Sequence, residues 1–125
     1  MFFGTFERHM EKSGRIALPP QFISEPHEIF ILAKGVKACI VAYRLRDWDK
    51  LAVVLVSKPL PSAHARQMDR EISVDVVRVQ IDKKRRITLP SRFRQFANIQ
   101  DEVIIVGFGE NCFEIWDNKR WKINR

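Results

Sequence analysis

The chain repeats itself at a spacing of 71 residues, and no other feature restricts its fold as much. Met10-Glu11-Lys12-Ser13-Gly14-Arg15-Ile16-Ala17-Leu18-Pro19-Pro20-Gln21-Phe22 lies over Ile81-Asp82-Lys83-Lys84-Arg85-Arg86-Ile87-Thr88-Leu89-Pro90-Ser91-Arg92-Phe93. Both copies read apolar, acid, Lys, x, x, Arg, Ile, x, Leu, Pro, x, x, Phe, with eight like positions in thirteen. The match continues downstream. Glu28 to Leu32 resembles Glu102 to Val106, Ala38 to Tyr43 resembles Asn111 to Trp116, and Trp48 falls on Trp121. A duplication in only 125 residues implies two small related units sharing one core.

Each unit reads as strand, turn, strand, short helix, strand, strand. Phe6 to Met10 and Val74 to Ile81 are strand-like, the second alternating through Val77, Val79 and Ile81. Tight turns follow at Glu11-Lys12-Ser13-Gly14 and Asp82-Lys83-Lys84-Arg85, with Gly14 available for a positive-φ position. Short strands Arg15 to Leu18 and Arg86 to Leu89 stop at Pro19 and Pro90, which cannot donate to a ladder but suit a first helical turn. The expected division is a first repeat over 1–50, a helical connection over 51–73 and a second repeat over 74–125. Asp117 to Trp121 opens the second copy's equivalent of a helix beginning near Asp47.

With 46% hydrophobic residues, nine Phe and three Trp, the chain has enough material for an ordered core. Cys39 and Cys112 fit neither a zinc spacing nor a disulfide scaffold, so both read as small buried thiols. The acids and three histidines show no nucleophile–base pair or metal motif, and Gly107-Phe108-Gly109 lacks the helix and third glycine of a nucleotide cradle. The expectation is therefore no enzyme, cofactor, metal or small-molecule substrate. The apolar run Leu51 to Val56 is too short to cross a bilayer and no leader pattern opens the chain, so a cytoplasmic, nucleoid-associated protein is expected.

The net charge of +7 is concentrated rather than spread. Residues 78–94 hold Arg78, Lys83, Lys84, Arg85, Arg86, Arg92 and Arg94 against Asp82 alone, a net of +6. Residues 8–15 hold Arg8, Lys12 and Arg15 against Glu11, a net of +2, and the rest of the chain is close to neutral. Two basic turns at matched positions point to a polyanion. A two-stranded ribbon fits the major groove of double-stranded DNA. Arg15 and Arg86 then have the forked group suited to guanine, while Lys12, Lys83, Lys84 and Arg85 suit phosphates. Glu11, Gly14 and Asp82 are the turn-positioning residues, the acids accepting turn N–H groups or orienting an arginine. By charge alone, the second hairpin supplies most of the attraction.

At these residues the chain resembles the MraZ family. Glu11-Lys12-Ser13-Gly14-Arg15 and Asp82-Lys83-Lys84-Arg85-Arg86, each followed by Ile-x-Leu-Pro, are similar to that family's paired acid-x-x-x-Arg motifs. Met1-Phe2-Phe3-Gly4 and Phe113-Glu114-Ile115-Trp116 are similar to its ends. The resemblance implies an α+β fold: a duplicated AbrB-like (SpoVT-type) swapped-hairpin β-barrel with pseudo-two-fold symmetry, short helices and a helical hairpin between the repeats. It implies a transcriptional regulator that binds promoter direct repeats at a division and cell-wall gene cluster, assembled as a ring-shaped homo-oligomer. Two departures stand at the turns. Glu11 replaces the usual Asp, a mild change, and Arg85 replaces the usual Gly, leaving either an altered turn or an extra phosphate contact. The chain and its middle segment also look short for the family, which bears on ring size. Other readings are an AbrB- or MazE-like antitoxin, or an RNA- or protein-interaction module on the same fold. The first of these normally has one repeat and an acidic tail, and the second lacks a row of aromatics for stacking bases.

Overall fold

The structure, a computed structural model, describes residues 1–50 and 75–124. The expected helical connection over 51–73 lies outside the described residues, as does the start of the second repeat at Val74. The first copy contributes β1 (Thr5–His9), β2 (Arg15–Ala17), β3 (Ile29–Lys34) and β4 (Ile40–Arg44). The second contributes β5 (Val76–Gln80), β6 (Arg86–Thr88), β7 (Glu102–Gly107) and β8 (Cys112–Asp117). Residues 45–50 are helical (α1), and α3 (Asn118–Asn124) occupies the matching place in the second copy.

Both prolines act as the sequence predicts. β2 and β6 stop just before Leu18-Pro19 and Leu89-Pro90, and a turn of helix follows each. In the first copy this is a single 3-10 turn, Pro20–Phe22; in the second it is the helix α2 (Ser91–Phe96). Each turn drives a phenylalanine, Phe22 or Phe93, fully into the core.

Six strands form one antiparallel sheet in the order β1-β7-β8-β4-β3-β5, and β2 pairs with β6 in a separate ribbon. Exchanging the two copies reverses the sheet order and leaves it unchanged. The hairpin strands are swapped: β1 pairs with β7 and β5 with β3, so each copy completes its sheet on the other. The pseudo-two-fold axis passes through Ile16↔Ile87 in the ribbon and Val41↔Glu114 in the sheet. This is the α+β swapped-hairpin architecture that the family resemblance implies.

The register corrects one alignment. Phe6 pairs with Ile105 and its counterpart Val77 pairs with Leu32, so Leu32 matches Ile105 rather than Val106. The copies are offset by 73 in β3 and β7, where residue likeness suggests 74. Side chains alternate faces along a strand, so that one-residue slip would turn every core side chain outward. A run of apolar residues on both sides of each strand hides the difference in the sequence.

The inner face of the sheet packs on the ribbon and the helical turns. Phe113 sits at its centre, with ring centroids of Phe2, Phe22 and Phe30 at 5.1, 5.1 and 5.6 Å, and Ile16, Ile87, Leu18 and Leu89 close the core from the ribbon. The outer face is also apolar at its centre, where Cys39, Ile104 and Trp116 are buried. The repeated tryptophans cap it in matching ways: Trp48 packs on Tyr43 and Trp121 on Trp116. Cys39 is buried, and burial first, then the Glu114 charge, pushes its thiol up to about 12; Cys112 is only half-buried. One buried ion pair has no signal in the sequence. Arg44 donates to Glu28 at 3.0 Å and to the Phe22 carbonyl at 3.2 Å, with its guanidinium over the Phe2 ring. In the second copy Asp117 takes the place of Arg44 and instead accepts the N–H groups of Gln100 and Arg120.

Candidate nucleic-acid interface

The swap brings the two turns to opposite ends of one short ribbon. Each turn closes on itself alike: the Glu11 N–H donates to the Arg15 carbonyl and the Asp82 N–H to the Arg86 carbonyl, at 2.8 and 2.9 Å. The turns are then tied to each other. Leu18 donates its N–H to the Arg85 carbonyl and Leu89 donates its N–H to the Gly14 carbonyl, both at 2.9 Å. Within the ribbon Arg15 lies opposite Thr88 and Arg86 opposite Ala17, while Ile16 and Ile87 point into the core. Residues opposite one another share a face, so Arg15, Ala17, Arg86 and Thr88 form the outward face. Lys12, Lys83, Lys84 and Arg85 are exposed around it. All six cations singled out in the sequence are therefore gathered about one ribbon.

The two turns carry their acids differently. Asp82 Oδ1 accepts the N–H groups of Lys84 and Arg86 at 2.9 and 2.8 Å, and Oδ2 accepts Arg86 Nε at 2.9 Å. Desolvation pushes its carboxyl up, but these hydrogen bonds outweigh it and the pKa stands below the usual carboxylate value. Arg86 is raised in turn, first by its bond to Asp82 and then by Glu11, against desolvation. The Glu11 side chain makes no hydrogen bond to its own turn. One methylene longer than aspartate, its carboxylate reaches across the axis to Arg86 Nη1, at 3.3 and 3.2 Å. The two acids of the motif thus differ in role: Asp82 both caps its turn and orients its arginine, and the Glu11 side chain does neither for Arg15. Among the described residues Arg15 has no ion-pair partner.

The linear charge pattern assigns Arg92 and Arg94 to the second turn, and the fold redistributes them. Arg94 lies against the first turn, where a Cβ on Gly14 would meet its Nε at 3.0 Å and the Leu89 carbonyl oxygen at 2.7 Å. Arg92 approaches Asp75 at 3.8 Å and stacks on the Phe93 ring. Arg8 donates to the Ala17 carbonyl at 3.2 Å, at the end of the ribbon where Ala17 lies opposite Arg86, and so sits beside the second turn. With Arg94 at the first turn and Arg86 held by two acids, the second turn's excess of free charge is smaller than its sequence suggests. Arg8 and Arg94 were legible only as members of charged runs; their placement needs the swap.

Arg85 stands where Gly14 stands in the first copy, and both backbones are left-handed, with φ of 61° and 83°. The turn keeps its positive φ at this position without glycine. The first turn differs in having Ser13 at positive φ as well. Relieving the strain with Arg85→Gly is expected to raise stability by about 0.5–1 kcal/mol. Gly14→Ala is expected to lower it by about 2 kcal/mol, since strain adds to a backbone clash. Urea midpoints of the two variants check both signs.

The remaining candidate groups lie elsewhere. His9 pairs with Glu102 at 2.8 Å, which raises its pKa through the hydrogen bond and the charge, and His27 is exposed; His64 lies outside the described residues. Among the described residues no cluster of three or more His, Cys, Asp or Glu could hold a metal, and no helix is long and apolar enough to cross a membrane.

Comparison with known proteins agrees with the repeat and its ends. The family model described as "MraZ protein, putative antitoxin-like" matches residues 1–71 and 75–124. The transcriptional regulator MraZ of Halothermothrix orenii is 36% identical over 121 residues, covering 97% of this chain and 84% of the relative. That of Acetivibrio thermocellus is 32% identical over 122 residues, covering 98% and 85%. With two swapped repeats, an acid-x-x-x-Arg turn in each, and relatives aligned along nearly its whole length, this chain belongs to the MraZ family of transcriptional regulators.

Proposed function

We propose that this protein is a sequence-specific regulator that binds double-stranded DNA by laying the β2–β6 ribbon and its two turns into the major groove. The observation that carries this is the outward ribbon face, with Arg15 and Arg86 symmetrically placed on it and exposed cations at both ends. A two-stranded ribbon is narrow enough for the groove, and a guanidinium fork matches the O6 and N7 of guanine. Lys12, Lys83, Lys84 and Arg85 contact phosphates, Gly14 and Asp82 set the turns, Glu11 opens the first turn and reaches across to Arg86, and no step of catalysis is involved.

The targets are direct repeats in the promoter of a division and cell-wall gene cluster, read by a ring-shaped homo-oligomer in the cytoplasm at the nucleoid. One ribbon makes a small contact, so several protomers on repeated boxes gain affinity through effective concentration. The test is binding to the region upstream of this chain's own coding sequence and to a scrambled duplex of equal length, at several salt concentrations. Four cations on phosphates give each protomer a slope of log affinity against log salt of about −4. Equal affinity for both duplexes would rule the proposal out.

A further inference from the structure

We propose that Glu11 is a specificity-determining residue of the DNA-binding face, holding Arg86 across the pseudo-two-fold axis so that two turns closed by the same backbone hydrogen bonds are unequal in action. This rests on the DNA-binding reading and adds a polarity to it. Arg15 meets DNA without a competitor, and Arg86 is delivered only when DNA displaces Glu11.

The inequality follows from side-chain length. The mirror contact, Asp82 to Arg15, does not form. Asp82 is shorter, and its oxygens are already taken by the Lys84 and Arg86 N–H groups and by Arg86 Nε. The Glu11 side chain, with no bond to its own turn, spans the axis instead. The two holds on Arg86 also differ in strength. Asp82 meets it at 2.9 Å, a usual charge-assisted distance, whereas Glu11 meets it at 3.2 and 3.3 Å, which is long for such a bond. The Glu11 side chain is 48% exposed and that of Arg86 17%. The Glu11 contact is therefore the one that yields to an incoming anion, while Asp82 keeps the guanidinium aimed outward.

Equal turns related by a two-fold axis would read an inverted pair of half-sites. Unequal turns give each protomer a front and a back on the duplex, which suits an asymmetric element repeated in one direction.

The test is a double-mutant cycle on the full chain, with the upstream duplex and its scrambled counterpart read by fluorescence anisotropy. Glu11→Gln is expected to raise affinity for the upstream duplex about fivefold, and to change it less than about twofold in an Arg86→Gln background. Arg86→Lys keeps a charge for Asp82 but lacks the second nitrogen that reaches Glu11, and gives the same readout should Arg86→Gln melt early. Without DNA, phenylglyoxal is expected to label Arg86 faster in Glu11→Gln than in the parent, with Arg15 unchanged. An equal rise in both backgrounds would mean that Glu11 acts only as a charge, and would overturn the proposal while the DNA-binding reading stands. Unchanged labelling of Arg86 would overturn it too. A parent chain that does not prefer the upstream duplex would bring down the DNA-binding reading and this inference with it.

Discussion

Arg15→Ala is expected to lower affinity for the upstream duplex about 10- to 100-fold and leave the urea midpoint unchanged. The size follows from a bidentate arginine–guanine contact, worth about 1–3 kcal/mol of discrimination. The absence of a stability effect follows from the fold, in which Arg15 lies on the outward ribbon face with no ion-pair partner among the described residues. Arg86→Ala is expected to behave differently despite its matching position. It removes the counter-ion of Asp82 and Glu11 and a bond that shapes the turn, so affinity and stability fall together. Anisotropy titrations and denaturation curves on the same two proteins separate these outcomes. Equal behaviour of the two variants would contradict the unequal turns described above.

Phe113→Ala is expected to lower stability by about 3–5 kcal/mol, a large share of the roughly 5–15 kcal/mol that holds a domain of this kind. Phe113 is fully buried on β8 and meets three other phenylalanines, Phe2 from the N-terminus, Phe22 from the 3-10 turn and Phe30 from β3. Those three belong to the first copy and Phe113 to the second, so the cavity opens at the seam that joins the repeats. Phe108→Ala, at a ring 66% exposed, serves as the control and is expected within about 0.5 kcal/mol of the parent. Urea denaturation of both variants measures the difference.

The hairpin segments were the legible part of this fold. Their residues repeat with almost no gap, because the turn backbone, the proline stop and the buried Phe22 and Phe93 each demand a residue type. What joins the copies was not legible in the same way. Residues of β3 and β7 are apolar on both faces, with Ile31 and Ala33 buried as well as Phe30 and Leu32, and Ile104 packed with Trp116 on the outer side, and so the alternation that fixes register is absent from their sequence. Nothing in a single string says that β1 leaves its own copy to pair with β7, and the positions of Arg8 and Arg94 depend on that exchange. Of the site, the residue types and turn positions were readable, but the side-chain partners were not. Glu11 and Asp82 look equivalent in a motif; one methylene sends the first to the other repeat's arginine. Arg85 is the reverse case, an apparent violation of a glycine position that the turn accepts with its left-handed backbone intact.

Hydrogen-exchange mass spectrometry with and without the upstream duplex tests most directly whether the two turns are the DNA-binding surface. The account predicts that protection gained on binding is confined to segments carrying Lys12 to Leu18 and Lys83 to Leu89, with the sheet strands β4 and β8 unchanged. Protection centred on Val41, Glu114 and Trp116 of the outer face, with both turns unaffected, would contradict it.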